Sequence, residues 1–327
     1  MRKFIDIGFN LTDEMFLGIY RDKQRHANDI YEVLTRAKEC HVDKLIVTGS
    51  CLETSMVAIE STSKWPNDSN IPELYCTVGV HPCSSASVPL QAEERSKYFD
   101  DLKALTKKNK VVMYGEMGLD YDRLHYASKE VQNRVFAEQL KLAPSINLPL
   151  FLHSRNASVD FVQHLRETKA IWDRYSEECN SKPNTSDQNQ KRPQIPFTGV
   201  VHSFTGTADE LKELLDLGLF IGLNGCSFKT QENIDVAKQV PLSNLLLETD
   251  APWCEIKQTH PSYKYKQVLK YPVAKKPEKK VEGMMVKGRN EPCEMENVAR
   301  VYAGITNNSL DDVAEVVYQN TMKLLGL

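Results

Sequence analysis

The stretch Asn244–Trp253, NLLLETDAPW, decides the fold that we expect for this chain. Three leucines in succession are typical of a strand that is buried on both faces of a parallel sheet. Because side chains alternate along a strand, Glu248 and Asp250 share one face while Thr249 turns to the other. A buried strand that ends on two carboxylates indicates that its carboxyl end points at a polar site.

Similar apolar runs recur along the chain. Segments with apolar residues three or four positions apart separate them, and this spacing predicts amphipathic helices. Eight such alternations predict an α/β fold, a (β/α)8 TIM barrel, as a single domain of residues 1–327. An open doubly wound sheet is the alternative, since it is also built of parallel strands covered by helices. The predicted strands are Lys3–Ile7, Lys44–Thr48, Tyr75–Val80, Val111–Gly115, Leu150–His153, Gly199–His202, Leu219–Gly222 and Asn244–Leu247.

Two segments interrupt the alternation and a third follows it. Residues 174–196 are polar and punctuated by proline, which predicts a loop insertion before the sixth strand. Residues 255–292 are rich in lysine, tyrosine and proline, and we expect a long loop over the catalytic face of the barrel. Residues 309–325 carry a helical apolar stripe that starts at Ser309, a favoured N-cap residue, and predict a C-terminal helix.

The lysines and tyrosines of residues 255–292 are candidates for nucleic-acid binding. Basic side chains neutralise backbone phosphates, and aromatic rings stack on unpaired bases. The same composition also fits a solvated loop, and both interpretations stay open. The residues that we assign to nucleic-acid contact are Tyr263, Lys264, Tyr265 and Lys266.

Composition and charge exclude several classes of protein. A formal net charge of -3 excludes a general polycation, so binding of nucleic acid would require a local basic patch. Eight scattered cysteines without a C-x-x-C pair indicate reduced thiols rather than a disulfide scaffold. No apolar run approaches the ~20 residues that cross a bilayer. We expect a soluble monomer without membrane contact, in the nucleus or the cytoplasm.

Ionisable residues follow five of the eight predicted strands. The carboxyl ends of barrel strands meet on one face, where active sites are built. A single histidine at such a place is more often a hydrogen-bonded structural residue, but three histidines with several carboxylates are costly to bury without a positive partner. The pattern predicts one or two divalent cations, and imidazole with carboxylate suits zinc, manganese or iron, whereas magnesium prefers oxygen. These residues are His81, Glu116, Asp120, His153, Arg155, His202, Glu248 and Asp250.

Seven segments, in this order along the chain, resemble the TatD family of metal-dependent deoxyribonucleases, within the amidohydrolase-like barrels. This resemblance implies a 3′–5′ exonuclease, or a related phosphodiesterase, that acts on single-stranded or frayed DNA ends with two divalent ions. The matching segments are DIGFNLT (6–12), GVHP (79–82), GEMGLD (115–120), FLHSR (151–155), HSFTGT (202–207), LLLETDAP (245–252) and RNEP (289–292).

The resemblance also implies a role for each site residue. Glu116 would bridge the two ions, and Asp250 would contact metal and orient or deprotonate the attacking water, which makes these two the catalytic residues. Arg155 and His81 would lie near a substrate phosphate. Glu248 and Asp120 are expected to orient the ligands from behind. The implied metal ligands are Glu116, His153, His202 and Asp250.

One departure from the family concerns the end of the first strand. Many relatives carry His-x-His there, and this chain has Gly8, Phe9 and Asn10. The first ion would then keep mostly oxygen ligands, with Asn10 or Asp6 as weak candidates beside Glu116 and Asp250. Such a set favours magnesium or manganese over zinc, although zinc stays possible.

Two other functions are compatible with the same ligands. The metal-assisted attack of water also serves the hydrolysis of esters and amides, so a deacylase acting on mischarged aminoacyl-tRNA is the first alternative. The second is a barrel that binds nucleic acid or protein without catalysis. The three histidines at the strand ends argue against it, because a binding module does not need them.

Overall fold

The computed structural model describes residues 2–181 and 194–327. Eight parallel strands form one sheet in which each strand pairs with the next along the chain. A parallel bridge between Phe9 and Ala251 nearly closes this sheet into a barrel. The predicted (β/α)8 barrel is confirmed, and the doubly wound alternative is wrong because its strand order reverses within the sheet. The strands are β1 (Phe4–Phe9), β2 (Val42–Val47), β3 (Glu73–Val78), β4 (Val111–Asp120), β5 (Leu150–Arg155), β6 (Gly199–Val201), β7 (Phe220–Leu223) and β8 (Leu245–Leu247).

Helices separate the strands and cover the outside of the barrel. The last helix begins after Ser309, whose hydroxyl accepts a hydrogen bond from the Asp312 amide at 3.0 Å. Among the described residues, no helix is both long enough and apolar enough to cross a membrane. The helices are α1 (Ile30–Glu39), α2 (Leu52–Ser61), α3 (Ala92–Leu105), α4 (Lys129–Ile146), α5 (Ser158–Ser181), α6 (Ala208–Asp216), α7 (Gln231–Ala237), α8 (Met295–Thr306) and α9 (Leu310–Leu325).

The barrel interior is apolar below and polar above. Its lower part is a layer of buried side chains from alternating strand positions, and Leu324 and Leu325 at the end of α9 pack against it. Packing within this layer fixes the strands relative to one another, so their carboxyl ends form a rigid rim around the polar residues. Interior members of the layer are Ile5, Ile7, Ile46, Met113, Phe151, Val200 and Leu246.

The predicted loop at residues 174–196 is wrong for its first part. Helix α5 continues to Ser181, so residues 174–181 are helical. Trp172 anchors this end of the helix, since it is buried and its indole donates a hydrogen bond to the Ile195 carbonyl at 2.9 Å. The polar residues beyond Trp172 lie on an exposed helix surface, and such a composition resembles a loop. Residues 182–193 of the prediction lie outside the described residues.

Part of the segment 255–292 packs on α1 at the outside of the barrel, and the predicted loop over the catalytic face stays a prediction for the rest. The Tyr271 hydroxyl donates to Glu39 at 2.7 Å, at the C-terminal end of α1. That end leads through His41 to the first residue of β2, and is therefore at the opposite end of the barrel from the strand tips. Acidic side chains on α1 explain this path, because the Lys280 ammonium lies 3.0 Å from Glu32.

A buried ion network fixes the end of this segment, RNEP, to α1. The Arg289 guanidinium donates to both carboxylate oxygens of Asp29, at 2.8 and 2.7 Å, and to Glu291 at 2.9 Å. Arg36 donates to the other oxygen of Glu291 at 2.8 Å. Arg289 and Arg36 compensate Asp29 and Glu291, and the Lys280 ammonium lies a further 3.4 Å from Asp29, so each buried charge has a partner. This network holds the chain between β8 and α8 against the barrel.

Candidate metal centre

The polar residues at the strand ends converge on the carboxylate of Glu116. This residue lies within β4, a strand that is buried along its whole length. One oxygen, Oε1, lies 2.7 Å from His202 Nε2, 3.1 Å from His153 Nδ1 and 3.4 Å from His81 Nε2. The ligand atoms of His81, Glu116 and His153 all lie within 4.8 Å of one another. These three residues form a candidate metal-binding cluster.

A glycine in β4 allows His153 to reach this cluster. Gly118 has a φ of 153° and lies against the carbonyl of His153, so that a Cβ at this position would overlap the carbonyl oxygen. Without a side chain, β4 approaches β5 closely. His153 then meets Glu116 through Nδ1 and Asp120 through Nε2, at 3.1 Å each.

Two carboxylates lie behind the imidazoles, as the sequence predicts for Asp120 and Glu248. Asp120 faces the ring nitrogen of His153 that points away from Glu116. Glu248 Oε2 lies 3.4 Å from Nδ1 of His202 as an ion pair, and neither atom has a hydrogen-bond partner among the described residues. A carboxylate on the far ring nitrogen fixes the tautomer and the orientation of a metal-ligating histidine. The arrangement therefore presents two ring nitrogens to the Glu116 side.

The other carboxylate oxygen of Glu248, Oε1, has two hydrogen-bond donors. It accepts hydrogen bonds from the Ser203 amide at 2.5 Å and from the Asn224 side chain at 3.1 Å. The same carboxylate fills the space beside Gly8, where a Cβ would overlap Oε2. A side chain at position 8 would displace Glu248, which gives a structural reason for glycine at this position.

His81 lies in the cluster itself, whereas the resemblance implied a contact with substrate phosphate. The Cys83 amide donates a hydrogen bond to Nδ1 of His81 at 3.0 Å, so Nε2 is the atom that faces Glu116. Its ring packs edge-on against His153 with centroids 4.7 Å apart. The sequence contained the signal, because His81 follows the third predicted strand as His153 and His202 end theirs, but spacing alone did not show that its ring would face Glu116.

Asp250 lies at the rim of the barrel, held by Asn10. It has a φ of 52°, and its Oδ1 accepts a hydrogen bond from Asn10 Nδ2 at 2.9 Å. Burial, together with the nearby charges of Glu248 and Glu116, raises the pKa of Asp250 to about 6. The amide of Asn10 thus acts on Asp250, which differs from the weak metal ligand predicted at this position.

Asp6 takes a structural role in place of the weak ligand role predicted for it. Its Oδ1 accepts from the amides of Gly8 and Thr249, at 3.2 and 3.0 Å, and its Oδ2 accepts from the Thr249 hydroxyl. Burial raises the pKa of Asp6 to about 8. Both oxygens therefore bind the first strand to the end of β8 and help to close the barrel.

Charge around Glu116 explains how the cluster tolerates burial. Burial raises the pKa of Glu116, but His81, His202 and His153 outweigh it and hold that pKa well below the ordinary value. Conversely, burial lowers the pKa of His202, while Glu116 and Glu248 together raise it well above the ordinary value. One anion facing several imidazole nitrogens is a donor set that fits a divalent cation.

The remaining predicted residues lie around this centre or away from it. Arg155 ends β5 and lines a cavity of about 620 Å³ together with Phe204 and Lys229. Lys266 forms an ion pair with Glu294 at 3.1 Å, on the α8 side of the barrel. The structure therefore brings Arg155 to the rim and pairs Lys266 with a carboxylate at the start of α8.

The two predicted stacking tyrosines also belong to the α8 side. The ring of Tyr265 lies against Gly304 in α8, where a Cβ would overlap it, and the Lys264 ammonium lies 5.0 Å from the same ring. Tyr263 is half-buried and packs on the apolar core of the barrel and its helices. The role of Tyr263, Lys264, Tyr265 and Lys266 in nucleic-acid contact stays a prediction beside these contacts.

Comparison with known proteins agrees with this geometry. The family model described as TatD related DNase matches residues 5–326. The chain belongs to the TatD-related DNase family. Deoxyribonuclease Tat-D of Schizosaccharomyces pombe is 41% identical over 329 residues, which cover 99% of this chain and 96% of that protein.

Two further relatives extend the comparison. The 3'-5' ssDNA/RNA exonuclease TatD of Yersinia pseudotuberculosis is 32% identical over 253 residues, covering 76% of this chain and 79% of that protein. The crystal structure of a TatD family hydrolase from Entamoeba histolytica is 34% identical, covers 99% of this chain and 98% of that one, and superposes with a TM-score of 0.84. The chain is thus a hydrolase of the TatD nuclease family with the family's barrel over its full length.

Proposed function

We propose that this protein hydrolyses phosphodiester bonds in DNA with the help of divalent cations, removing nucleotides from the 3′ end of single-stranded or frayed strands. One observation carries the proposal: Glu116 lies within 3.4 Å of three imidazoles at the carboxyl ends of the barrel strands. Nuclease names among the relatives support the substrate class, and the name of the Yersinia relative supports the polarity of digestion.

The site residues have different roles in the proposed hydrolysis. Glu116, His81, His153 and His202 would hold the cation cluster, and Asp250 would hold the cation nearest the rim. A bound divalent cation supplies positive charge that polarises a scissile phosphate and acidifies water. Asp250 accepts the proton of the attacking water, because it is the carboxylate at the rim with access to substrate. Arg155 neutralises a phosphate oxygen from the cavity beside the cluster.

The donor types suggest which cations suit the site. Three imidazoles around Glu116 favour manganese or zinc, while the carboxylate oxygens of Asp250 are ligands of the kind that magnesium and manganese prefer. Manganese is the cation that suits both ends. We therefore propose two ions in the active enzyme, with manganese or magnesium supporting turnover and zinc as a further occupant of the histidine-rich position.

A labelled oligonucleotide tests the proposal. With manganese, the wild-type protein should shorten a 5′-labelled single strand progressively from its 3′ end, and Glu116→Ala should lose this activity. Glu94→Ala changes an exposed glutamate of α3, away from the cavity that Arg155 lines, and serves as the matched control. An intact strand with wild-type protein and every divalent cation, or equal products from wild type and Glu116→Ala, would refute the proposal.

The same assay separates the alternative functions. An RNA strand and an aminoacyl ester are offered side by side with the DNA strand under the same conditions. Faster turnover of the ester than of both nucleic acids would favour the deacylase. Metal analysis of the purified protein tests the hypothesis of a non-catalytic binding barrel. That hypothesis predicts no divalent cation above background.

A further inference from the structure

The turn after β8 places a thiol on the rim carboxylate. The Trp253 amide donates to the Asp250 carbonyl at 2.9 Å, which reverses the chain after Ala251 and Pro252. The next residue, Cys254, thereby returns to Asp250, and its Sγ donates a hydrogen bond to Asp250 Oδ2 at 3.3 Å. The other oxygen, Oδ1, accepts from Asn10 at 2.9 Å. Each oxygen of this carboxylate has its own donor.

The backbone around Cys254 is built to keep the thiol in this position. Cys254 has a φ of 54°, a left-handed conformation that residues other than glycine adopt rarely. Its carbonyl lies so close to Gly225 that a Cβ there would overlap the carbonyl oxygen. Gly225 therefore admits the Cys254 backbone, and the strained conformation is held by packing from the loop after β7. Strain of this kind concentrates at functional sites.

We propose that Cys254 is a positioning residue of the hydrolytic reaction, because its thiol and the Asn10 amide together fix the plane of the Asp250 carboxylate. The last side-chain torsion of aspartate is soft, so an unrestrained carboxylate rotates over a broad range. Donors on both oxygens restrict that rotation, and a carboxylate has about four lone-pair sites, so lone pairs remain for a cation and for water. The inference rests on the function proposed above.

A neighbouring thiol offers a matched control. Cys226 is partly buried and follows Gly225, and its thiol interacts with that of Cys254. Among the described residues, no hydrogen bond joins the Cys226 thiol to the Asp250 carboxylate, in contrast to Cys254, and the proposal gives Cys226 no role in positioning. Replacing Cys226 removes a thiol of the same loop cluster without removing the donor to Asp250.

Rescue by a conservative variant tests the proposal on turnover. Cys254→Ala removes the donor and should lower kcat about tenfold with KM unchanged, which is the loss expected for one hydrogen bond to a charged group. Cys254→Ser keeps a donor in place and should retain kcat within about twofold, as should Cys226→Ala. Wild-type kcat in Cys254→Ala, or a loss in Cys254→Ser equal to that in Cys254→Ala, would overturn the proposal.

Two readouts are independent of DNA hydrolysis. Titration of the metal-free protein with manganese should show weaker binding for Cys254→Ala than for Cys254→Ser. The S–H stretching band in the Raman spectrum should lose its most strongly hydrogen-bonded component in Asp250→Asn, and in Cys254→Ala, but not in Cys226→Ala. An S–H band that is the same in Asp250→Asn and wild type would overturn the hydrogen bond from Cys254 to Asp250. Failure of the wild type to cut DNA would instead refute the proposed function and leave these two measurements valid.

Discussion

Glu248→Gln should weaken metal binding without unfolding the protein. The replacement keeps the size and shape of the side chain and removes its charge. In the wild type, Oε1 of Glu248 accepts from the Ser203 amide and from Asn224, so the glutamine carbonyl will take this position. The glutamine NH2 then faces Nδ1 of His202, where Oε2 lies 3.4 Å away in the wild type.

This exchange changes Nδ1 of His202 from a hydrogen-bond donor to an acceptor. An NH2 group only donates, so Nδ1 must accept and the proton of the neutral ring moves to Nε2. Nε2 is the atom that lies 2.7 Å from Glu116, and a protonated nitrogen has no lone pair for a cation. Loss of such a supporting carboxylate costs about 10- to 100-fold in metal affinity, or about 1.4–2.8 kcal/mol. We expect the upper half of this range, because the tautomer changes as well as the charge.

Calorimetric titration of metal-free protein with manganese, at constant pH, measures this effect. Glu282→Gln, at an exposed position of the segment 255–292, is the control for a generic Glu-to-Gln change and should bind like wild type. Urea unfolding of both variants checks that the fold is retained. A manganese affinity of Glu248→Gln within twofold of the wild type would show that Glu248 does not set the tautomer of His202.

Four further outcomes follow from the same contacts. Asp250→Asn should lower hydrolysis by about 10²–10⁴-fold, the usual contribution of a proton-accepting group, in a single-turnover assay; an effect as mild as that of Glu248→Gln would contradict the unequal roles of the two residues. Chelation of divalent cations should abolish hydrolysis, and added manganese should restore it. Arg289→Met leaves Asp29 without its bidentate partner and should cost about 3–5 kcal/mol of unfolding free energy in urea, part of which Asp29→Asn should recover; Arg300→Met, at a partly exposed pair, is the control. Gly118→Ala should destabilise the fold and weaken manganese binding, because its Cβ overlaps the His153 carbonyl; unchanged stability would refute that close approach.

Much of the candidate site is readable in the sequence because a parallel barrel gathers all strand ends on one face. Glu116, His153 and His202 meet in the cluster, as their positions at strand ends predict, and Asp120 and Glu248 lie behind the imidazoles. The sequence could not tell which polar neighbour turns inward. His81 joins the cluster only because the Cys83 amide engages its other ring nitrogen, a contact decided by the turn after β3.

The errors have a common physical origin. The segment 255–292 has the composition of a mobile basic loop, yet its charges find partners on α1 and at the residue before α8, as with Lys280 and Glu32 or Lys266 and Glu294. The polar end of α5 has the composition of a loop and is helical because Trp172 anchors it. The composition of a segment predicts how it behaves in water. It does not predict which surface of the folded chain the segment packs against.

The sequence by itself determined the architecture of this protein and the chemical types that its rim would carry. Both depend on local periodicity: apolar runs set the strands, and residues directly after them are brought together by any parallel barrel. Only the tertiary structure decided the individual roles at NLLLETDAPW. There Glu248 turns to His202, and Asp250 is held between Asn10 and Cys254. No local sequence pattern encodes these contacts, because they join residues up to 240 positions apart and depend on sub-ångström differences in how closely the side chains approach.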